Sequence, residues 1–406
     1  MLMRSLRQFW RKIKSLRRLG WPMLIPALVV ISCMALLLPM TTGLAEAYTQ
    51  GPLNRVQRAQ AASVLHPFWK GSHMRREPIL FIKKRGAALA TARLLFIPTH
   101  IIRIASGNGR IVYKPGRDYI WHPGTNLLIR PAKSRIAFKT WAQLHPPLGA
   151  PDSYGAAIGG KRNLFFVEGG AVFHRLQVDV TYNHVAHWAG YVPHRANREL
   201  ARTIARLKAK KPLNIVVLGD SISAGACASE YFNQPPHQPP FTILTAEGLR
   251  ARYGDMIRLE NLSVGGMVST WGVTMAPKVA ADKPNLVIIG FGMNDATAHM
   301  PASQYIANTR KIMGIIRKKC PKVDFILIAT MTANPDWTGS QPALYTQYAR
   351  GLTKLTGPGV ALANMTAMWR SMLKIKKFDD ITGNGINHPD DFAHRVYAQV
   401  LLTLLR

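Results

Sequence analysis

The sequence predicts an α/β fold: a doubly wound, parallel, five-stranded sheet preceded by an all-β, sandwich-like domain and an N-terminal signal or anchor helix. Three observations carry this reading. Residues 213–406 alternate short continuous apolar runs with helical stretches five times over, as buried parallel strands joined by crossover helices do. Residues 77–190 instead hold short alternating runs broken by Gly, Pro and Asn, the pattern of close-spaced antiparallel strands. The first 20 residues are basic and lead straight into an apolar segment.

That N-terminal segment comes first. Arg4, Arg7, Arg11, Lys12, Lys14, Arg17 and Arg18 precede an apolar run from Trp21 to Leu38, then Pro39 and Ala45-Glu46-Ala47. A positive head, an apolar middle and an A-x-A site are the order of an export signal, with cleavage before Tyr48. The competing reading is an uncleaved anchor, although an apolar run of about 18 residues is at the short limit for a ~30 Å hydrocarbon core. Pro22 and Pro26 interrupt its start. Under either reading residues 1–47 send the rest of the chain to the periplasm or beyond, free or held at the inner membrane.

Composition narrows the class. The chain has 406 residues, 48% of them hydrophobic and 18% charged, which excludes long disorder and a polytopic membrane protein. Three cysteines exclude a cysteine-rich metal protein. Cys33 lies in the apolar segment, and Cys227 and Cys320 read as two unrelated buried thiols. The 53 Lys and Arg outnumber 20 Asp and Glu, and the excess is uneven. Residues 48–211 hold 27 basic and 6 acidic side chains, residues 212–406 only 19 and 13. Such a front half draws polyanions. In an exported protein these are envelope surfaces and acidic glycans, and nucleic acid is not expected.

Residues 48–76 are polar and basic with helical spacing, a linker or short helix. From 77 to 190 the apolar runs are Ile79–Ile82, Leu94–Ile97, Ile101–Ile104, Ile111–Tyr113, Leu127–Ile129 and Leu176–Tyr182. Residues 191–212 form a connecting helix, with Leu200, Ile204 and Leu207 on one face. In 213–406 the strands are Ile215–Leu218, Ile257–Leu262, Leu286–Ile289, Phe325–Ala329 and Val360–Ala363. Helices are expected at 241–252, 268–280, 302–319, 341–354 and 391–405. Open α/β sheets bind ligands beyond the carboxyl ends of their strands, so chemistry is sought in those loops.

Four loops supply it. Gly219-Asp220-Ser221 follows the first strand and puts Ser221 at a helix start, where free N–H groups favour negative charge. Asn261-Leu262-Ser263-Val264-Gly265-Gly266 follows the second, where a glycine brings a bare N–H toward a substrate. Gly292-Met293-Asn294-Asp295 follows the third, where Asn294 has an amide to donate and Asp295 caps the next turn. Gly383-Asn384-Gly385-Ile386-Asn387-His388-Pro389 precedes the last helix and carries a candidate base. Each motif alone is ordinary turn or cap chemistry.

The four blocks in this order resemble the SGNH (GDSL-type) hydrolase superfamily, and the resemblance covers about 213–406. It implies a flavodoxin-like sheet, Ser221 as nucleophile, His388 as base, and an oxyanion hole made by Ser221, Gly266 and Asn294, with no metal or cofactor. The stretch 77–212 is similar to the β-rich module that accompanies bacterial members. One position departs: the family's Asp three residues before the His is Gly385 here. Three replacements stand open, namely a backbone carbonyl at Nδ1, Asp379 or Asp380, and Asp390 or Asp391.

The expected activity is hydrolysis of acyl esters, acetyl foremost, on envelope or extracellular polysaccharide through an acyl-enzyme. The alternatives are a lipase or lysophospholipase, an acyltransferase, and a non-catalytic glycan-binding protein on a decayed hydrolase scaffold. Gly155–Lys161 has the glycine spacing of a phosphate loop, but Arg162 stands where a magnesium-binding hydroxyl belongs, and the motif is rejected. Tyr231–Pro240 is a proline-rich insert that reads as a pocket wall or a surface crossing. Trp271 reads as core, and Trp337 as core or sugar platform.

Overall fold

The computed structural model describes residues 52–157, 159–167 and 172–406. The signal or anchor reading of 1–47 lies outside the described residues. Among the described residues no helix is long and apolar enough to cross a membrane.

Part of 48–76 is a helix, α1 (Arg55–Leu65), started by a reciprocal cap in which Asn54 accepts from the Gln57 N–H and Gln57 accepts from the Asn54 N–H. Strands β1 (His73–Ile79), β2 (Phe81–Lys83), β3 (Ala90–Arg93), β4 (Pro98–Ser106), β5 (Ile120–Trp121), β6 (Leu127–Arg130), β7 (Phe138–Thr140), β8 (Ser153–Ala157), β9 (Arg162–Phe165) and β10 (Val178–His184) follow. They divide among three sheets. β1-β10-β4 is antiparallel, β5-β6-β3-β2-β7 is mixed, and β8 and β9 make an antiparallel pair. The glycines at 159 and 160 thus lie between two paired antiparallel strands, not at a strand–helix junction.

The run Leu94–Ile97 is not a strand, although Leu94, Leu95 and Phe96 are buried. Two of its amides are satisfied by side chains instead. The Leu95 N–H donates to Glu77 at 2.8 Å and the Phe96 N–H to the Tyr182 hydroxyl at 3.2 Å. A buried apolar run whose amides find such partners needs no sheet neighbour.

Helix α2 (Ala201–Lys208) connects the two regions, burying Thr203, Ile204 and Leu207. Its Thr203 N–H and hydroxyl both donate to Asp324. Beyond it the strands β11 (Leu213–Gly219), β12 (Ile257–Asn261), β13 (Leu286–Gly290), β14 (Asp324–Ala329) and β15 (Val360–Asn364) form one parallel sheet, ordered β12-β11-β13-β14-β15. Helices α3 (Phe241–Tyr253), α4 (Ser269–Ala281), α5 (Ala302–Lys319), α6 (Pro342–Thr353), α7 (Met365–Met372) and α8 (Asp391–Leu404) alternate with them. The order reverses between β11 and β13, and the crevice at such a switch point is where open α/β sheets bind ligands.

The larger hydrophobic cluster of the described residues runs through both regions, with Ile79, Val180 and Tyr182 of the β-rich strands beside Leu200, Ile204, Trp369 and Phe392 on the α/β side. A smaller cluster of Leu80, Ile82, Leu144, Phe165 and Phe173 lies within the β-rich part. The β-rich and α/β regions therefore pack as one body.

Candidate active site

The site is assembled at the β11–β13 switch point. β11 and β13 run in register to Gly219 opposite Gly290, and a side chain at 219 would meet the Gly290 carbonyl at 2.4 Å. That close approach lets the chain turn sharply into a single helical turn, Ser221–Ala224. Asp220 caps the turn, accepting from the Ile222 N–H at 3.0 Å. Ser221 is left half-buried at its start.

His388 reaches this point from the other end of the chain. Its loop is folded on itself: the Thr382 hydroxyl donates to the His388 carbonyl at 2.9 Å, and the Gly383 N–H donates to it at 3.0 Å. The result places His388 Nε2 2.8 Å from Ser221 Oγ, across 167 positions of sequence. Burial lowers the imidazole pKa to about 4, with His394 adding to the effect. At neutral pH the ring is therefore uncharged.

The two expected oxyanion loops lie alongside. A side chain at Gly265 would come 3.7 Å from the Ser221 Cβ, and Gly266 adjoins it with φ +78. Asn294 is tied to the same loop, its Nδ2 donating to the Met267 carbonyl at 3.0 Å. An amide nitrogen has two protons, so one remains for a substrate oxygen. Asp295 is buried beneath and accepts from the Ser269 N–H and hydroxyl and the Gly292 N–H, which fixes the turn that bears Asn294.

The segment after the nucleophile is pinned by two further histidines. His394, on α8, accepts from the Phe241 N–H at Nδ1 and donates from Nε2 to the Ala226 carbonyl at 3.1 Å. His174 Nε2 lies 2.9 Å from the Cys227 carbonyl. Burial raises Asp220 to about 7, with Asp295 contributing, and raises Asp390 to about 7. Each of these two carboxyls is thus about half ionised at neutral pH.

None of the three replacements for the missing Asp occupies the far side of the ring. Asp379 lies in the field of His145 and Lys377, and Asp380 accepts from the Leu80 and Lys377 N–H groups. Asp390 caps α8 through the Ala393 N–H, and Asp391 accepts from the Ser229 N–H. Asn384 stands there instead, its Nδ2 2.9 Å from His388 Nδ1, with Cys227 Sγ at 3.9 Å. Asn384 is an amide and not a carboxylate, so the family's Asp pattern does not point to it. The signal was present, because an Asn followed by Gly folds back on its own downstream amides.

The remaining candidates fall as follows. Cys227 and Cys320 are thiols, with no disulfide between them. Trp271 is half-buried and packs edge-on against Phe291. Trp337 is buried and meets Tyr154 of β8 at 6.3 Å. The insert packs on the start of α8, where Gln238 donates to the Asp391 carbonyl. Among the described residues no group of three or more His, Cys, Asp or Glu is placed to hold a metal ion.

A doubly wound sheet with a hydroxyl–imidazole pair at its carboxyl edge defines an α/β domain of the acyl-transfer class. Residues 217–396 match the model of the GDSL-like Lipase/Acylhydrolase family, and this C-terminal region belongs to that family. No curated protein matches the chain. Among solved structures, the chain is similar to a two-domain esterase (CEX) active on acetylated mannans, 20% identical with a TM-score of 0.40, over 53% of this chain and 55% of that one. It therefore spans about half the length of that protein. Axe2, an acetylxylan esterase from Geobacillus stearothermophilus, is 17% identical with a TM-score of 0.38, over 48% of this chain and 94% of that one. TesA is 23% identical with a TM-score of 0.35, over 47% and 97%.

Proposed function

We propose that the chain is an exported serine esterase that removes acyl groups, acetyl foremost, from envelope or extracellular polysaccharide. The observation that carries the reading is the 2.8 Å contact between Ser221 Oγ and His388 Nε2. His388 takes the Ser221 proton as Oγ attacks the ester carbonyl. The N–H groups of Ser221 and Gly266 and the Asn294 amide hold the oxyanion. His388 then protonates the departing alcohol, and water releases the acyl group by the same steps in reverse. The glycan substrate is supported by the signal-like N-terminus and by the basic residues 48–211, which favour an acidic polymer or envelope surface.

The test is acetate release from acetylated glycans by the wild type and by Ser221→Ala. Release by the wild type alone is expected, and equal release by both overturns the reading. Chain-length preference on p-nitrophenyl esters separates this activity from a lipase, since a peak at eight carbons or longer excludes an acetylesterase. A non-catalytic glycan-binding protein is the second reading, favoured by the amide donor that faces His388 Nδ1. Glycan binding without any Ser221-dependent ester cleavage would select it.

A further inference from the structure

We infer that Asn384 is a positioning residue that holds resting His388 in the Nε2–H tautomer and so restrains turnover at Ser221. The inference rests on the esterase reading above and concerns the regulation of that same site.

The orientation of the Asn384 amide is fixed by its own loop. Its Oδ1 accepts from the N–H groups of Ile386 at 3.0 Å, Asn387 at 3.0 Å and His388 at 3.1 Å. Rotating the amide by half a turn would set an NH2 group against three N–H donors and forfeit all three bonds. Nδ2 is thereby committed to the other side, where it donates to Asn387 Oδ1 at 3.1 Å and faces His388 Nδ1 at 2.9 Å. The side chain is buried, so water does not compete for these groups.

A neutral imidazole has one N–H and one lone pair. With a donor at Nδ1, the lone pair belongs there and the proton belongs on Nε2. The 2.8 Å contact with Ser221 then runs from Nε2–H to the hydroxyl oxygen, the reverse of what a general base requires. Before His388 accepts the serine proton, its own proton must move to Nδ1, where it meets the Asn384 NH2 group. Cys227 Sγ also approaches Nδ1, at 3.9 Å, and sulfur is a weak acceptor. Replacing the orienting carboxylate of a Ser–His–Asp unit by an amide leaves its geometry intact and lowers kcat by about 10⁴-fold through this same tautomer.

The family's own carboxylate position is closed. Gly385 has φ +84, and a Cβ there would lie 2.5 Å from the Phe165 carbonyl and 2.8 Å from the Phe173 ring. Both belong to the β-rich region, which therefore excludes an acid at 385 and leaves the ring to Asn384. A carboxylate at position 384 is a different matter. It is isosteric with the Asn amide, keeps one oxygen for the three N–H groups, and presents the other at Nδ1 once the Asn387 amide turns to donate its NH2 to that oxygen.

The experiment has two arms. In the first, long-range nitrogen–proton NMR of the wild-type chain at pH 7, assigned by comparison with His388→Gln, reads the tautomer directly. A protonated Nε2 and a bare Nδ1 are expected, and a proton on Nδ1 overturns the inference. This arm stands whether or not any variant folds. In the second, Asn384→Asp is compared with the wild type on a small acetyl ester. A rise in kcat of at least about tenfold is expected, with KM little changed and the acid limb of the pH profile moved to higher pH. Folded Asn384→Asp with unchanged or lower kcat overturns the restraint. If neither protein exceeds its Ser221→Ala counterpart, the esterase reading fails and the restraint with it, while the NMR arm still decides the tautomer.

Discussion

Lys376 donates to Glu77 at 2.8 Å with both side chains wholly removed from solvent. The bond joins the α/β region to strand β1 across 299 positions of sequence. Lys376 also donates to the carbonyls of Pro78 and Arg93. Glu77 accepts from the Leu95 N–H and, at 2.5 Å, from the Tyr182 hydroxyl. The pair sits just before the loop that carries His388, so it anchors that loop to the β-rich region. Lys376→Met strands a buried carboxylate and is expected to cost about 3–5 kcal/mol in urea unfolding. Adding Glu77→Gln should recover part of that loss, and an additive double variant would contradict the coupling.

His388 sets the acid limit of activity. Its folded pKa of about 4 lies below the ordinary value of 6.5, so the folded protein keeps the ring neutral where the unfolded chain would protonate it. Stability from this group is therefore present above 6.5 and is lost as pH falls through about 4. The wild-type kcat/KM is expected to hold down to about pH 5 and to fall with an apparent pKa near 4. An acid limb near 6.5 would show that the ring is not buried as described.

Asn294→Ala removes the side-chain donor proposed for the oxyanion. The loss should fall on kcat, by about 10²–10³-fold, with KM little changed. Because Asn294 also bonds the Met267 carbonyl, the melting temperature is measured alongside. A fall in kcat of less than about tenfold would remove Asn294 from the oxyanion hole.

Gly385→Asp, the substitution that would recreate the family pattern, is expected to destabilise the protein and not to raise activity. The left-handed backbone and the contact with Phe165 together predict a loss of about 1–3 kcal/mol from overpacking alone. A folded, faster Gly385→Asp would mean that the β-rich region gives way there.

Much of the α/β region is legible in the sequence. The runs at 215–218, 286–289 and 325–329 lie within β11, β13 and β14, because a strand buried on both faces must be continuously apolar. Helices α4, α5 and α6 are legible for a related reason, their periods being set by one buried face, whereas α8 is buried all round. The β-rich region is harder to read. Leu94–Ile97 has strand composition yet is a loop, since the partners that release it from a sheet, Glu77 and Tyr182, lie 18 and 86 positions away.

The sequence by itself determined the order of elements, the apolar strands and the turns that bear Ser221, Gly266, Asn294 and His388, because these depend on local periodicity and on residues adjacent in the chain. Only the tertiary structure decided that Ser221 and His388 meet, that Phe165 closes the space beside Gly385, and that Asn384 faces the imidazole. A side-chain amide and a carboxylate are alike in shape and differ in where their protons lie. Which atom of Asn384 faces Nδ1 was settled by three backbone N–H groups that converge on its oxygen only once the loop has folded.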